Sequence, residues 1–466
     1  MKIVLCTPPE DFSGKEQTPP LGLAYLAAVL ESNNYDVEII DSRCERLNFK
    51  QFVNKIKKAN GDLFGITCYT HARFNVFSTA KLIKMVLPQV SVVVGGPHVF
   101  STDVDTLSSV SEIDIIVRGE GERSFLELVQ CVERGESLKK VSGITFRQNN
   151  KIIATPSADW IANLDDLPMP AWHLLPLEKY NSKVTDESVF GKDFIDIDCL
   201  GVMSSRGCPY RCIYCNNPIL WGGFVRFRSP KRVVDELEFL ISEYGYEGID
   251  FWDDTINVSP KWTLKLCDEI IRRKLKIVWY CRARVNNLNR TLLMEMVKAG
   301  CVSIGLGVES GSPNILKNIR KGITLAQVHR AVKLCAKFKL LTKIFFMYNL
   351  PGETLKDFRS TLALMDKLET YGESIKCLGG ITRIYPGTEL ESIAKRRGIL
   401  QKNFSWSKPY YNRMNRLLSI DPTIPIFEWM NTRDLLKMTF IHNLQKKGCK
   451  HIVNVLSTNT RRVLEF

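Results

Sequence analysis

Three cysteines, Cys208, Cys212 and Cys215, lie within the segment SSRGCPYRCIYCNNP with the spacing Cys-x3-Cys-x2-Cys. Three thiolates on one short loop can face a common centre, and soft thiolates favour zinc or an iron–sulfur cluster. A closed structural zinc site needs a fourth ligand, yet no Cys or His follows within 50 residues of Cys215. The spacing therefore favours a cluster with one open coordination position over zinc.

The cysteine loop follows the first of six strand–helix units in residues 196–395. The strand candidates are residues 200–205, 248–254, 277–283, 302–310, 342–349 and 377–386. Six such units predict a partial (β/α)6 TIM-type barrel, in which active-site groups lie at the carboxyl ends of the strands. The cysteines are therefore expected at the active end of this barrel.

Residues 1–150 also alternate β-branched runs with helical stretches, which predicts a Rossmann-like doubly wound parallel sheet. Ligands of such α/β sheets bind beyond the carboxyl ends of the strands. The loops expected there are residues 7–10, 41–43, 68–71, 95–99 and 118–122. They are either tight turns only, or a surface where a phosphate-rich or macrocyclic ligand rests on exposed backbone N–H groups.

The remaining segments show weaker patterns. Residues 151–195 carry four prolines and no sustained periodicity, which predicts a linker over the surface. Residues 396–466 predict a small, mainly helical C-terminal region.

The cysteine motif, with the aromatic Tyr214 before its third cysteine, resembles that of the radical S-adenosylmethionine (SAM) superfamily. Family-like segments follow in order: FWDDT (251–255), RARV (282–285), GVESGS (307–312), YNLPGET (348–354) and YPGTEL (385–390). The resemblance implies a [4Fe–4S] cluster on Cys208, Cys212 and Cys215. It also implies SAM contacts from Tyr214, Asp253, Asp254, Arg282, Glu309, Ser310 and Leu350. The two aspartates stand where the family usually has Gly-Gly-Glu.

This resemblance also implies a reaction. The reduced cluster would split SAM into methionine and a 5′-deoxyadenosyl radical, which abstracts hydrogen from an unactivated carbon. An external one-electron reductant of the flavodoxin or ferredoxin type would supply the electron.

The preceding Rossmann-like domain, with PPLGLAYLAAVL, GGPHV and RGEGE, resembles the cobalamin-binding branch of the superfamily. This branch includes anaerobic protoporphyrin-ester cyclases and many methyltransferases. The resemblance implies cobalamin contacts from Thr7, Pro8, Tyr69, Gly95, Gly96, His98, Gly119 and Glu120. The Asp-x-His-x-x-Gly motif is absent, because the matching residues 41–46 read DSRCER. No axial histidine is assigned, and a loop histidine such as His71 or His98 more commonly makes a polar contact.

A cobalamin-dependent methyltransferase acting on an unactivated carbon of a small molecule or natural product is the leading interpretation. It requires the strand ends of the two sheets to face each other, with the substrate between them. Candidate cavity residues are Tyr69, Arg73, Trp221, Arg226, Trp252 and Tyr385. The alternatives are an oxidative cyclase or ring-rearranging enzyme with the same cofactors, an RNA-base-modifying enzyme, and a non-catalytic binding module.

Composition limits the remaining possibilities. The 466 residues are 45% hydrophobic and 24% charged, which is typical of globular proteins and corresponds to about three folding units. The net charge of +14 comes from dispersed basic residues, which argues against a nucleic-acid partner. Fourteen cysteines spread over a long chain do not indicate a disulfide scaffold. The short start MKIVLC and the lack of a span of about 20 apolar residues predict a cytoplasmic protein.

Overall fold

Two large sheets organise the chain in the computed structural model, which describes residues 1–9, 18–410, 423–430, 434 and 437–438. The N-terminal sheet contains β1 (Lys2–Thr7), β2 (Asp36–Asp41), β3 (Leu63–Thr67), β4 (Ser91–Gly95), β5 (Ile115–Val117), β6 (Ile144–Gln148) and β7 (Lys151–Ala154). Their order is β2-β1-β3-β4-β5-β6-β7. The first five strands are parallel, and β5, β6 and β7 pair antiparallel.

Helices cover both faces of this sheet. On one face lie α1 (Leu21–Glu31) and α5 (Gly121–Glu133), and on the other α2 (Phe49–Ala59), α3 (Arg73–Val86) and α4 (Asp103–Ser109). Strand β1 contributes Ile3 and Leu5 to one core and Val4 and Cys6 to the other. Because both faces are buried, its residues form a continuous apolar run, and the doubly wound prediction is confirmed.

The N-terminal sheet extends beyond residue 150. Asn149 and Asn150 form a two-residue turn with φ angles of 49° and 61°, and β7 continues the sheet to Ala154. Asparagine tolerates this left-handed conformation, which hairpin turns require. The boundary predicted at residue 150 therefore falls inside a hairpin.

The segment between the sheets is packed rather than draped over the surface. It contains 3₁₀ turns at Leu164–Asp166, Trp172–Leu174, Leu177–Lys179 and Gly191–Asp193, and the short helix α6 (Glu187–Phe190). Trp172 is fully buried, and its indole N–H donates to Glu236 Oε1 at 3.1 Å. The neighbouring Ala171 N–H donates to Ala24 O of α1 at 3.0 Å. These contacts differ from the predicted surface linker, because the buried aromatic side chain has a polar partner on the second unit.

The second sheet contains six parallel strands: β8 (Cys199–Val202), β11 (Gly248–Phe251), β12 (Val278–Ala283), β13 (Cys301–Glu309), β14 (Leu341–Tyr348) and β15 (Ile375–Ile381). A small ribbon, β9 (Ser205–Arg206) with β10 (Arg226–Phe227), follows β8. The sheet order runs from β15 through β14, β13, β12 and β11 to β8. Among the described residues β8 and β15 are the two edges, so the predicted partial barrel is confirmed.

Eight helices among the described residues accompany this barrel: α7 (Asn217–Leu220), α8 (Pro230–Tyr244), α9 (Pro260–Arg272), α10 (Arg290–Lys298), α11 (Pro313–Asn318), α12 (Leu325–Lys337), α13 (Leu355–Glu369) and α14 (Glu389–Arg396). The strands present alternate residues to these helices. Trp279, Cys281 and Ala283 of β12 lie in the core shared with the helices. Tyr280 and Arg282 are therefore on the opposite face of the strand.

Beyond α14, residues 397–410 and 423–430 form no helix, whereas residues 434 and 437–438 are helical. Trp406 and Phe427 pack with Ile384 and Leu390 in a separate small core. The rest of the predicted helical region, 396–466, lies outside the described residues. No helix in the described part of the chain is long and apolar enough to cross a membrane.

Candidate active site

The cysteine loop lies directly after β9. Cys208 and Cys212 are buried and Cys215 is half-buried. Cys208 Sγ lies 3.8 Å from Thr255 Oγ1, and the backbone N–H of Asn217 donates to Cys215 Sγ at 3.5 Å. Hydrogen bonds to sulfur of this kind are found in iron–sulfur sites, where they tune the reduction potential.

The donor set suits a cluster better than a single ion. Burial raises the pKa of the Cys208 thiol and raises that of Cys215 to about 12, and a bound metal deprotonates such thiols. Across the described ranges, no three His, Cys, Asp or Glu side chains are placed to hold one metal ion. The zinc alternative therefore finds no preformed mononuclear site there. In a [4Fe–4S] cluster the three thiolates bind three different irons, which fits three soft donors on one loop.

The two adjacent aspartates after β11 have different surroundings. Asp254 accepts hydrogen bonds from the Asn217 side chain and the Gly207 backbone N–H, so it lies against the cysteine loop. Asp253 is buried, and its carboxylate accepts from Ser204 Oγ at 2.7 Å and from the Ser205 hydroxyl. Burial raises the pKa of Asp253 to about 6. Asp253 therefore fixes the end of β8, while Asp254 is positioned beside the thiols.

A buried ion pair lies at the end of β13. Lys321 Nζ is 2.7 Å from Glu309 Oε1 and 3.3 Å from the hydroxyl of Tyr214. Burial raises the pKa of Tyr214, and the nearby Glu309 carboxylate adds to the shift. A Cβ at Gly307 would lie 2.6 Å from Glu309 Oε1 and 2.9 Å from Lys321 Nζ, so a side chain there would displace the ion pair. Glu309 itself has φ of 74°, a strained conformation that is often found at functional sites.

The remaining three predicted SAM residues lie in different surroundings. They are Arg282, Ser310 and Leu350. Arg282 donates to both carboxylate oxygens of Asp250, at 3.0 and 3.2 Å. Ser310 is fully buried, with its hydroxyl 3.3 Å from Thr361 Oγ1. The Leu350 N–H donates to Glu353 Oε2 at 3.0 Å. Ser310 and Leu350 thus shape loop backbone rather than presenting side chains to the cysteine loop.

A cavity of about 320 Å³ lies where the strand ends of the two sheets meet. Five of the predicted cobalamin residues line it: Tyr69, Gly95, Gly96, Gly119 and Glu120. Met203, Arg206, Leu220, Trp221 and Trp252 line it from the barrel side. The strand ends therefore converge as the leading interpretation requires.

The N-terminal side of this cavity is floored by glycine. Gly96 has φ of 113°, and a Cβ there would lie 2.8 Å from Cys68 O. Gly119 has φ of 80°, which is also a left-handed conformation. These glycines line the same cavity as Trp221 and Trp252, and without side chains they leave backbone accessible to a ligand.

Thr7, Pro8 and His98 do not line this cavity. The Thr7 hydroxyl donates to Asp41 Oδ1 at 2.8 Å, and Pro8 is buried beside it. His98 is fully buried, with Nδ1 3.3 Å from Thr70 Oγ1 and its ring against Trp406. Burial lowers the pKa of His98 to about 3.

The predicted substrate residues divide in the same way. Tyr69, Trp221 and Trp252 line the cavity, whereas Arg73, Arg226 and Tyr385 do not. Arg73 is fully buried and donates to the Trp406 and Thr70 carbonyls, each at 2.7 Å.

Comparison with known proteins identifies both units. Residues 202–365 match the Radical SAM superfamily, and residues 13–129 match the B12 binding domain. An uncharacterised methyltransferase of Pyrococcus horikoshii is 37% identical over 413 residues, which cover 88% of this chain and 86% of that protein. The chain belongs to the cobalamin-binding radical SAM enzymes. Its cofactors are therefore a [4Fe–4S] cluster, SAM and cobalamin, as predicted.

One further relative has a different reaction in its name, and two solved structures are similar to this chain. The anaerobic magnesium-protoporphyrin IX monomethyl ester cyclase of Rubrivivax gelatinosus is 31% identical, covering 74% of this chain and 61% of that protein. The structure of the radical SAM methyltransferase TsrM from Kitasatospora setae has a TM-score of 0.67 at 19% identity, covering 84% of this chain and 75% of that one. The cobalamin-dependent enzyme OxsB gives 0.72 at 16% identity, with coverage of 88% and 63%. Both structures share the fold.

Sequence reasoning missed the ionic contacts that join the two domains of this radical SAM enzyme. Arg206 Nη1 lies 2.8 Å from Glu120 Oε1, and its Nη2 lies 2.5 Å from Glu122 Oε1. Arg226 Nη1 lies 2.6 Å from Glu120 Oε2. Burial alone would raise the pKa of Glu120, but the hydrogen bond from Arg226 and the charge of Arg206 outweigh it and lower that pKa. The partners lie more than 80 residues apart in the chain, and no local pattern indicates such a pairing.

Proposed function

We propose that this enzyme is a methyltransferase that transfers a methyl group from methylcobalamin to an unactivated carbon, after hydrogen abstraction by the 5′-deoxyadenosyl radical. The cavity at the meeting strand ends carries the proposal. It borders the glycine floor of one domain and the loop that follows the cysteines of the other, so one bound substrate can reach both. The name of the 37% identical relative, a methyltransferase, supports the same reaction.

Cys208, Cys212 and Cys215 would hold the cluster, which supplies one-electron reduction of SAM when bound. The Asn217 N–H on Cys215 orients one of these thiols, and Thr255 lies against another. Cys208 and Cys212 are buried against the barrel, which keeps water away from these two sulfur atoms.

Tyr214, Asp254, Arg282 and Glu309 would contact SAM directly. Asp254 accepts two hydrogen bonds from the cysteine loop, and Glu309 is fixed by Lys321. Asp253, Ser310 and Leu350 would act one layer behind, because the two polar side chains are fully buried and Leu350 offers only a backbone N–H that Glu353 accepts. Asp253 and Asp254 are adjacent in the chain but would have different roles, because Asp253 is bonded inside the barrel and Asp254 faces the cysteine loop.

Gly95, Gly96 and Gly119 would support cobalamin from the N-terminal side, with Tyr69 at the edge and Glu120 at the domain junction. Thr7, Pro8 and His98 would support the loops behind this floor. Tyr69 remains 44% exposed, so its ring is available to a ligand. Trp221 and Trp252 would close the opposite side, where apolar rings exclude water from a radical.

The second candidate is an oxidative cyclase with the same cofactors, which the 31% identity to the Rubrivivax enzyme supports. In both cases the substrate is a small molecule or natural product, and a flavodoxin- or ferredoxin-type protein delivers the electron.

The experiment that separates the two candidates requires no substrate. Anaerobic holoenzyme is incubated with SAM labelled by deuterium in its methyl group, with a reductant, and bound cobalamin is analysed by mass spectrometry. We expect a trideuteriomethyl group on cobalamin together with S-adenosylhomocysteine. Unlabelled cobalamin alongside 5′-deoxyadenosine would contradict methyl transfer and favour the cyclase. The Cys212→Ala variant is the matched control. It should still form labelled cobalamin but no 5′-deoxyadenosine, because methylation of cobalamin by SAM does not use the cluster radical.

A further inference from the structure

Arg284 is a buried cation beside the cysteine loop. It follows β12 and is 5% exposed, and it takes part in no ion pair with a carboxylate among the described residues. Its Nε is buried without a hydrogen-bond partner. A buried guanidinium without an opposite charge is costly, so the fold must provide a counter-charge there.

The guanidinium is held in one orientation. Its Cζ lies 3.5 Å from the centroid of the Tyr210 ring, and Nη2 donates to the Lys321 carbonyl. The backbone is fixed as well, because the Arg284 N–H donates to Asn257 Oδ1 at 2.9 Å and Asn257 Nδ2 donates to Arg284 O at 2.8 Å. Asn257 is fully buried. Arg284 therefore cannot turn towards solvent to regain hydration.

The Nη1 group of the guanidinium faces the thiols of the cysteine loop. Nη1 lies 4.0 Å from Cys212 Sγ, and the charge of Arg284 also acts on Cys208. A [4Fe–4S]2+ core with three thiolates carries one net negative charge, and one-electron reduction makes it two. The attraction to a fixed cation is therefore greater in the reduced state than in the oxidised state.

We propose that Arg284 is the counter-charge of the cluster and raises its reduction potential. This inference rests on the proposed assignment of Cys208, Cys212 and Cys215 as cluster ligands. The step concerned is addition of one electron from an external reductant to the cluster core, with no bond or proton exchanged. Arg284 is a positioning residue in this scheme, because it acts on the reaction only through the cluster.

The test is a redox titration of anaerobic, cobalamin-loaded enzyme without SAM, followed by electron paramagnetic resonance of the reduced cluster. In Arg284→Met we expect the ratio of reduced to oxidised cluster at a fixed potential to fall about tenfold, which is 59 mV for one electron. Arg284→Lys keeps the charge and should retain most of the wild-type potential. Arg320→Gln is the control, because Arg320 is exposed and already paired with Glu389 at 2.6 Å, so its potential should match the wild type.

A fully loaded Arg284→Met cluster with the wild-type potential would overturn the proposal, as would a loss of SAM affinity with no change in potential. If Arg284→Met assembles no cluster, Arg284→Gln takes its place. This variant also removes the charge, so the potential should fall in the same direction, and an unchanged value there also refutes the proposal. Failure of the wild-type chain to bind iron would instead overturn the cysteine assignment, and is thus a separate result.

Discussion

Glu120 and Arg206 form a 2.8 Å ion pair across the junction of the two domains, with side-chain exposures of only 3% and 6%. Glu120 lines the N-terminal side of the cavity, and Arg206 lines the barrel side. Two charges removed from water are stabilising only while both are present, because loss of one leaves the other buried and unpaired. The pair therefore couples domain docking to the shape of the cavity between the domains.

Replacement of Glu120 by Gln should weaken both the junction and cobalamin retention. It leaves Arg206 and Arg226 without their shared carboxylate, which costs about 3–5 kcal/mol for a broken buried pair. We expect a lower melting temperature and less cobalamin per protein after gel filtration. Glu136→Gln is the control, since Glu136 pairs with Lys140 on the surface, and it should leave both values unchanged. Wild-type cobalamin content in Glu120→Gln would contradict this coupling.

Replacement of Cys212 by Ala should abolish the brown chromophore of anaerobically reconstituted enzyme and reductive cleavage of SAM. One of three thiolate ligands is then missing, and the cluster loses an iron anchor. Iron content and 5′-deoxyadenosine are the measurements. Cys335→Ala removes a fully buried thiol from the core around α12 and should retain both signals. Persistence of the chromophore in Cys212→Ala would exclude this cysteine as a ligand.

Glu353 predicts a specific pH dependence of stability. Burial raises its pKa from 4.5 to about 7, and Oε1 has no hydrogen-bond partner. The folded state therefore keeps a proton that the unfolded chain has released between about pH 4.5 and pH 7, so the free energy of unfolding falls as the pH rises through that window.

Glu353→Gln should remove this dependence while keeping an oxygen for the Leu350 N–H. At pH 5 the variant and the wild type should melt close together. At pH 8 the variant should be more stable by about 3 kcal/mol, or several degrees. Melting curves of SAM-free protein at the two pH values measure the difference, and a gap that does not widen with pH would show that Glu353 ionises normally.

Trp406 should stabilise the contact between the barrel and the N-terminal domain. Its indole N–H donates to Glu391 Oε1 at 2.9 Å, its carbonyl accepts from Arg73, and its ring contacts His98. Trp406→Ala loses a buried ring, which costs about 3–5 kcal/mol. We expect faster amide hydrogen exchange in residues 96–102, with a smaller effect in Trp406→Phe. Unchanged exchange in this loop would mean that other contacts fasten the domains.

Strand periodicity predicted most of the architecture because the strands of both sheets are buried on two faces. The strand runs beginning at Lys2 and Ser91, for example, are apolar almost throughout. The hairpin at Asn149 and Asn150 was not predicted, although asparagine favours left-handed turns, because its two strands are only five and four residues long. Local sequence was therefore sufficient to predict those strands and helices whose pattern lies within a single element.

The roles within the site could be predicted less well, because they depend on distant partners. Asp253 and Asp254 are identical in type, and only the serines after β8 decide which carboxylate is buried. His98 looked available on a glycine-rich loop, but Trp406, about 300 residues later, covers it. Arg284 carries a charge like its neighbour Arg282, and its environment arises from Tyr210 and Lys321 on other loops.

The contact of Ser407 with Asp105, in which the Ser407 N–H and hydroxyl donate to Asp105 Oδ2 at 2.9 Å, spans 302 residues of chain. At a translation rate of about 5–20 residues per second, the ribosome needs roughly 15–60 s to make the residues between them. The N-terminal sheet thus leaves the ribosome well before the segment that fastens it to the barrel. The Ser407 contact can therefore form only after the N-terminal sheet has had this time to fold by itself.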